Sequence, residues 1–77
     1  MQRLAAALES ECAALASANE APRALADLAR DFALHRDDAS RYMLAGYLKA
    51  LCDAGRLGRF TRDARGWVDD LLATPAA

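Results

Sequence analysis

Apolar residues recur at helical spacing over most of this 77-residue chain. At the start, one apolar residue returns every third or fourth position and alanines fill much of the rest, which predicts a first helix over 2–18. The stripe consists of Leu4, Leu8, Cys12 and Leu15. A stripe this narrow suits packing against a single neighbour. It therefore predicts a homodimer through residues 2–18.

Two more helices follow. Pro22 suits the first position of the second helix, where its missing N–H is not needed, and the apolar spacing ends near Leu34. The apolar positions of this helix are Leu25, Leu28, Ala29 and Phe32. Asp37 or Asp38 is suited to cap the third helix by accepting backbone N–H bonds. That helix should run to about Ala54, with Gly55 in the left-handed position beyond its end.

The third helix has an apolar arc of roughly 200° on a helical wheel, which predicts that it is the main core helix. The arc contains Ala39, Met43, Leu44, Gly46, Tyr47, Leu48, Ala50 and Leu51. A mixed basic and aromatic face lies away from most of this arc. It consists of Arg41, Tyr42, Ala45, Lys49 and Asp53.

Residues that prefer strands are concentrated after Gly55. They include the only Val and the only Trp of the chain, and the set is Phe60, Thr61, Trp67 and Val68. Asp63 to Gly66 has the composition of a turn between two short strands. The segment 56–71 is therefore predicted to form a basic β-hairpin with Trp67 closing the core beneath it. Residues 69–73 either continue the second strand or begin a short helix.

Composition favours a mainly α protein, because Ala and Leu dominate, Ile is absent and Val occurs once. A chain of this length forms one small domain that buries roughly 60% of its unfolded surface. No apolar run approaches the roughly 20 residues of a membrane span, and acidic residues follow Met1 too soon for a signal peptide. We expect a cytoplasmic protein without a membrane partner.

The sequence offers no set of residues for catalysis or metal binding. Cys12 and Cys52 lie on or beside apolar stripes and are predicted to be buried free thiols. With His35 they do not supply four zinc ligands at suitable spacing. Asp37-Asp38 and Asp69-Asp70 are adjacent pairs, whose side chains point apart in a helix or strand. We expect no cofactor and no enzymatic activity.

Charge is spread unevenly, although the net charge is only −1. Residues 30–65 carry seven Arg and one Lys against five acids, whereas the segments on either side are acidic. Four of these arginines fall in the predicted hairpin: Arg56, Arg59, Arg62 and Arg65. They are suited either to contact phosphates or to keep an edge strand solvated and unpaired.

The succession of helix, helix and glycine-stopped basic hairpin resembles the winged helix-turn-helix domains of bacterial regulators, over roughly residues 22–68. Residues 24–34 resemble the first helix of the motif. Residues 48–57 resemble the end of the recognition helix and the start of the wing. The resemblance implies a mainly α fold of three helices followed by a short β-hairpin. Its parts are an N-terminal helix over 1–18, a helix-turn-helix-like core over 22–55 and a basic hairpin over 56–71.

The resemblance also implies a DNA interface. The start of the third helix would lie in a major groove, with Arg36, Ser40, Arg41 and Tyr42. The wing would contact the backbone or the minor groove, with Arg59, Arg62 and Arg65. Tyr42 and Arg41 are equally suited to meet a protein partner, and Tyr42 alternatively lies across its own helix.

Two functional hypotheses follow. In the first, the protein is a small regulator or accessory factor that binds duplex DNA. In the second, it is a helical protein-interaction module that binds a larger protein as an inhibitor or small subunit and does not bind nucleic acid. The arginines of the hairpin favour the first hypothesis, and the acidic balance with Asp37 and Asp38 favours the second. In the second case exposed apolar residues, such as Leu4 or Leu8, should contact the partner.

Overall fold

A computed structural model describes residues 2–73 of the chain. They form α1 (Gln2–Ser17), α2 (Arg23–His35), α3 (Asp38–Asp53) and α4 (Thr61–Ala73), with a 3₁₀ turn (Gly58–Phe60) that leads directly into α4. The first three helices lie within one or two residues of their predicted bounds. The described part measures 32 × 21 × 18 Å along its principal axes.

The predicted β-hairpin is wrong, because residues 2–73 contain no strand. The predicted turn, Asp63 to Gly66, lies inside α4, and residues 69–73 are helical as well. The physical reason is the spacing of the three residues that α4 buries, Ala64, Val68 and Leu71. Because their i, i+4 and i+7 positions share one helical face, burial of that face outweighs the strand preference of the neighbouring residues. The winged-helix architecture is therefore not the fold of this chain.

The ends of α2 and α3 are fixed by local hydrogen bonds. Arg36 has the left-handed conformation (φ 52°), and its backbone N–H donates to the carbonyl oxygen of Phe32. Asp37 then caps α3, as predicted, by accepting the backbone N–H of Ser40 at 2.9 Å. At the other end, Gly55 has a φ of 68°, which confirms its predicted left-handed position.

Successive helices contact one another in chain order, and all four contribute to one core. Its largest fully buried side chains are Leu8, Cys12, Leu25, Phe32, Leu44, Leu48, Leu57 and Leu71. Trp67 packs against this core, as predicted, but it is only partly buried and lies on α4 rather than on a hairpin. No helix within residues 2–73 is long and apolar enough to span a bilayer.

The apolar stripe of α1 is used inside the protein. Leu8 is 1% exposed, and Leu4 is partly buried against the core. The expectation that Leu4 and Leu8 remain exposed for a partner is therefore wrong for Leu8. A homodimer held by the stripe of residues 2–18 would have to compete with the packing of α1 on α2.

Candidate functional site

The predicted DNA-contacting residues form two groups at opposite ends of α3. Two hydrogen bonds between α3 and α4 show this arrangement. The Arg41 side chain donates to the Leu71 carbonyl oxygen, and the Cys52 thiol donates to the Thr61 carbonyl oxygen at 3.8 Å. The start of α3 thus lies beside the end of α4, and the two helices run antiparallel. Helix α3 is about 24 Å long at 1.5 Å per residue. One group surrounds its start (Arg36, Ser40, Arg41 and Tyr42), and the other follows its end (Arg59, Arg62 and Arg65).

Arg41 is a buried residue of the core boundary, with only 4% of its surface exposed. Its Nη1 donates to the Leu71 carbonyl oxygen, and its Nη2 donates to the Asp38 carboxylate at 2.7 Å. The hydrogen bond to Asp38 raises the pKa of Arg41 above its ordinary value, against the opposing effect of burial. The guanidinium is therefore engaged within the chain and is not presented to a DNA groove.

Ser40 and Arg36 have local roles at the same end. The Ser40 hydroxyl donates to Asp37 Oδ1 at 2.5 Å, and this bond, with that of the Ser40 backbone N–H, lowers the pKa of Asp37. Arg36 is exposed, and its Nε donates to the Ala33 carbonyl oxygen at 3.3 Å. The structure therefore uses Ser40 to complete the cap of α3.

The second group consists of exposed arginines interleaved with acids. Arg59 lies 3.9 Å from a Glu20 oxygen, and its guanidinium carbon lies 5.0 Å from the centre of the Phe60 ring. Arg65 lies 3.7 Å from the Asp53 carboxylate. Arg62 is exposed and has no ion pair with any other described residue. Exposed pairs at these distances are weak, so the patch is basic but partly neutralised.

A small cleft of about 210 Å³ between α2 and α3 contains the only histidine of the chain. Asp31, His35, Asp37 and Ser40 line it, which the sequence gave no reason to expect. The His35 side chain makes no hydrogen bond to another described residue, and the Ser40 hydroxyl is directed at Asp37. The cleft therefore lacks the serine–histidine hydrogen bond by which a histidine activates a hydroxyl nucleophile.

The two cysteines are buried and free, as predicted. Burial, assisted by the charge of Glu11, raises the pKa of the Cys12 thiol to about 12. Such a thiol is unreactive near neutral pH. Among residues 2–73 no group of three or more His, Cys, Asp or Glu side chains is placed to hold a metal ion.

The outer face of α3 is exposed, and we define its apolar part as Ala39, Tyr42, Met43, Gly46 and Ala50. Lys49 and Asp53 are exposed at the end of the same face. Tyr42 is 53% exposed and Met43 61%. Together they are half of the large apolar side chains that the described residues expose, the others being Leu34 and Leu72. An apolar surface of this kind on one helix is characteristic of interaction sites.

This face corrects the predicted orientation of α3. The helical wheel predicts that Met43 and Gly46 lie in the core and that Arg41 and Ala45 lie outside it, and both predictions are wrong. In the structure Ala45 is 3% exposed, and it lies on one helical stripe with Arg41 and Cys52, which both contact α4. Packing of α4 against this stripe rotates the remaining apolar residues toward the surface.

Gly46 forms a notch in the middle of the outer face. A β-carbon placed on it would meet no atom within 4 Å, so nothing inside the chain requires a glycine there. A glycine within a helix costs about 0.5–1 kcal/mol relative to alanine. Met43, Gly46, Tyr47 and Ala50 have the i, i+3, i+4, i+7 spacing of a hole that accepts a side chain from a neighbouring helix. Gly66 in α4 has equally free space, so Gly46 is of interest only because the exposed Tyr42 and Met43 lie beside it.

Tyr42 is held in place by its neighbour. The guanidinium carbon of Arg41 lies 4.5 Å from the centre of the Tyr42 ring, a distance typical of a cation–π contact. Because Arg41 is itself fixed by Asp38 and Leu71, the exposed ring rests on a rigid support. Less side-chain entropy is then lost when the ring is covered by a partner.

No protein-family model, curated protein or solved structure matches this chain. Its function is therefore inferred from its own surface. Of the outer face, only Tyr42 was among the predicted site residues. The sequence does contain a signal for Met43 and Gly46. The apolar arc of α3 spans roughly 200°, which is wider than the face that a helix with exposed flanks buries, so part of the arc must remain exposed.

Proposed function

We propose that this chain is a small protein-interaction module that binds a helix of a partner protein through the outer face of α3. The observation that carries the proposal is the pair of exposed side chains, Tyr42 and Met43, beside the Gly46 notch. A solvated helix face does not need large apolar side chains, and it is destabilised by a central glycine. A partner helix seated on this face would make both features favourable.

Burial of the exposed side chains would contribute to the free energy of binding. Full burial of a side chain such as Met contributes about 1.5–3 kcal/mol. Exposed aromatic residues that are already ordered are frequent anchors of protein interfaces, and Tyr42 is ordered by Arg41. The notch allows a partner side chain to reach the backbone of α3, which raises shape complementarity.

The charges that flank the outer face define the chemistry of the partner. Asp37 and Asp38 lie at the start of α3, whereas Lys49 and Arg56 lie near and beyond its end. Lys49 pairs with Asp53 at 3.0 Å, but Arg56 has no ion pair with a described residue. Because Asp38 is already paired with Arg41, the partner is proposed to be an amphipathic helix with an apolar stripe and acidic residues near Arg56.

Binding of duplex DNA is less well supported by the geometry. The wing that should carry Arg59, Arg62 and Arg65 is absent from residues 2–73, and these side chains lie instead in the 3₁₀ turn and α4. Arg41 and Ser40 are engaged within the chain. An inhibitor or accessory subunit of a larger protein fits these observations better than a regulator that reads DNA.

The proposal is tested by selecting for the partner helix directly. Protein fragments encoded by the source genome are displayed on yeast and sorted for binding to the purified chain. A selected fragment is then titrated against the wild type, Tyr42→Ala, Met43→Ala and Leu34→Ala. Leu34 is the matched control, because it is 70% exposed but lies on α2.

We expect Tyr42→Ala or Met43→Ala to weaken binding about tenfold or more, as truncation of an anchor residue does, and Leu34→Ala to have little effect. The proposal is overturned if no fragment is selected. It is equally overturned if selected fragments bind all four proteins alike, since their contact then lies elsewhere.

A further inference from the structure

We infer that α4 opens from α3 as a unit while the first three helices remain folded, and that Arg41 is the latch that keeps α4 closed. The opening itself does not depend on the proposed function, whereas its effect on binding rests on it. Four features of α4 support the inference: its composition, its one-sided packing, the hinge before it and the latch near its end.

Helix α4 depends on its neighbours to remain helical. It has 13 residues. Isolated helices shorter than roughly 12–15 residues are marginal in water even when they are rich in alanine. Helix α4 is not, because Gly66 lies inside it and both Thr61 and Val68 have low helix propensity. Helix α1, in contrast, consists largely of Ala and Leu. Once detached, α4 therefore loses its helical structure.

Packing holds α4 mainly from one side. Its chief neighbour among the helices is α3, and its buried face consists of Ala64, Val68 and Leu71. Toward α1 it is bounded by an open cleft of about 470 Å³. Acidic residues line both sides of this cleft, Glu11 on α1 and Asp63 with Asp70 on α4, against the single cation of Arg62. Like charges on the two sides weaken any attraction between α1 and α4.

A hinge precedes α4. Leu57 is 2% exposed and anchors the chain in the core, and Gly58 follows it directly with a φ of 53°. A β-carbon on Gly58 would meet no atom within 4 Å. Glycine changes readily between positive and negative φ, and hinges are a few residues at the ends of elements that absorb such changes. Rotation at Gly58 can therefore release α4 without displacing Leu57.

The latch is the buried guanidinium of Arg41. It donates to the carbonyl oxygen of Leu71 in the last turn of α4. That oxygen has no donor four residues later, because residue 75 is a proline, so Arg41 replaces the missing N–H. Yet Arg41 Nε is buried without a hydrogen-bond partner among the described residues. An unsatisfied buried donor destabilises the closed state and is relieved when water enters, so the latch can open.

Opening changes both sides of α3. The stripe that contacts α4, with Ala45 and Cys52, becomes exposed to solvent. Arg41 loses its Leu71 acceptor and with it part of the support for the Tyr42 ring. Under the proposed function, the partner therefore binds the closed state more tightly. By linkage, the partner then favours closure of α4 to the same extent.

Native-state hydrogen exchange of the full chain tests the opening. Exchange of backbone amides and alkylation of the two buried thiols are followed at urea concentrations well below the unfolding transition. The urea dependence of a rate reflects the surface that opens. Amides of α4 should therefore exchange about tenfold or more faster than protected amides of α2, and with a smaller urea dependence. Cys52 should likewise be alkylated faster than Cys12.

Two variants and a matched control identify the latch. Arg41→Lys, which lacks the planar fork of the guanidinium, should raise the exchange of α4 amides and the alkylation of Cys52 about tenfold. Gly66→Ala raises the helix propensity of α4 and should lower both rates about threefold. Arg30→Lys should change neither rate. Arg30 also pairs with an aspartate three residues before it, but this pair is exposed on α2.

Equal exchange rates and equal urea dependence in α4 and α2 overturn the inference, because the chain then opens only as a whole. It is also overturned if Cys12 is alkylated as fast as Cys52, or if Arg41→Lys behaves like Arg30→Lys. Should Arg41→Lys fail to fold, Gly66→Ala decides, because unchanged rates in that variant exclude opening of α4.

Failure of this inference is distinguishable from failure of the proposed function. A fragment that is bound through Tyr42 supports the proposed function even if α4 never opens. A fragment that is bound through Tyr42 without slowing the exchange of α4 amides overturns the coupling between closure and binding.

Discussion

Arg41 joins the start of α3 to the end of α4, because its Nη1 donates to the backbone carbonyl oxygen of Leu71, thirty residues later in the chain. The same guanidinium is bonded to Asp38 and supports the ring of Tyr42. One buried cation thus closes the α3–α4 pair and orders the aromatic residue of the outer face. Stability and the proposed binding function are connected at this residue.

Replacing Arg41 should destabilise the fold strongly. Arg41→Ala removes the bonds to Leu71 and Asp38 and leaves a space at the boundary of the core. We expect the melting temperature to fall by about 10 °C or more, as observed when a buried hydrogen-bond network is broken in a small domain. Arg36→Ala is the control, since Arg36 is exposed, and it should change the melting temperature little. Equal effects of the two substitutions would contradict the structural role of Arg41.

The glycines should respond to alanine according to their backbone conformation. Gly66→Ala should stabilise the protein by about 0.5–1 kcal/mol, because Gly66 lies within a helix and its added β-carbon meets nothing. Gly55→Ala should destabilise it by about 1 kcal/mol, because the φ of Gly55 is +68°. Urea denaturation measures both changes. A loss of stability in Gly66→Ala would show that α4 does not continue through this position.

Stability should fall in alkaline solution partly through Cys12. The pKa of its thiol is about 12 in the folded protein, above its ordinary value of 9.0, so the folded state holds the proton more tightly. This contribution is complete below about pH 9 and is lost as the pH rises from about 9 to 12. Cys12→Ala should therefore lose less stability than the wild type between about pH 8 and pH 10.5.

Urea midpoints of the two proteins at both pH values test this expectation. Other groups that titrate in the range affect both proteins alike, so the difference between the two isolates Cys12. Equal losses would mean that the Cys12 thiol is accessible to solvent in the folded state.

Binding to DNA should be weak, should decrease as the salt concentration rises, and should not depend on the DNA sequence. The exposed arginines near the start of α4 can contact phosphates, but Arg41 and Ser40 are not free to contact bases. We expect any anisotropy change with labelled duplex DNA at low salt to disappear by about 150 mM salt and to show no sequence preference. The DNA hypothesis would be restored by tight binding at about 150 mM salt, provided that the double variant Arg59→Ala, Arg62→Ala loses this binding.

The sequence predicts the first three helices well because each combines a long apolar period with a clear local stop. Pro22, Asp37 and Gly55 mark these ends through their own backbone or side-chain chemistry, which does not depend on the rest of the fold. Helix α4 was missed because Thr61, Trp67 and Val68 favour strands and a glycine interrupts it. Its formation depends on burial of one face against α3, which is a tertiary effect.

The orientation of α3 could not be derived from its sequence. Its apolar arc is wider than the buried face, so several orientations bury similar apolar area. Burial of an arginine is favourable only where a carbonyl oxygen such as that of Leu71 is available, and that acceptor lies on another helix. The sequence therefore predicts Tyr42 as a site residue but places Met43 and Gly46 in the core.

The most direct test of the interaction surface is photo-cross-linking in the cells that naturally produce the chain. A photoreactive amino acid is placed at position 43, on the outer face of α3, and separately at position 34, which is at least as exposed but lies on α2. The account predicts one discrete adduct from position 43 alone, either to a second protein or to another copy of the chain. Absence of an adduct from position 43, or the same adducts from both positions, would contradict it.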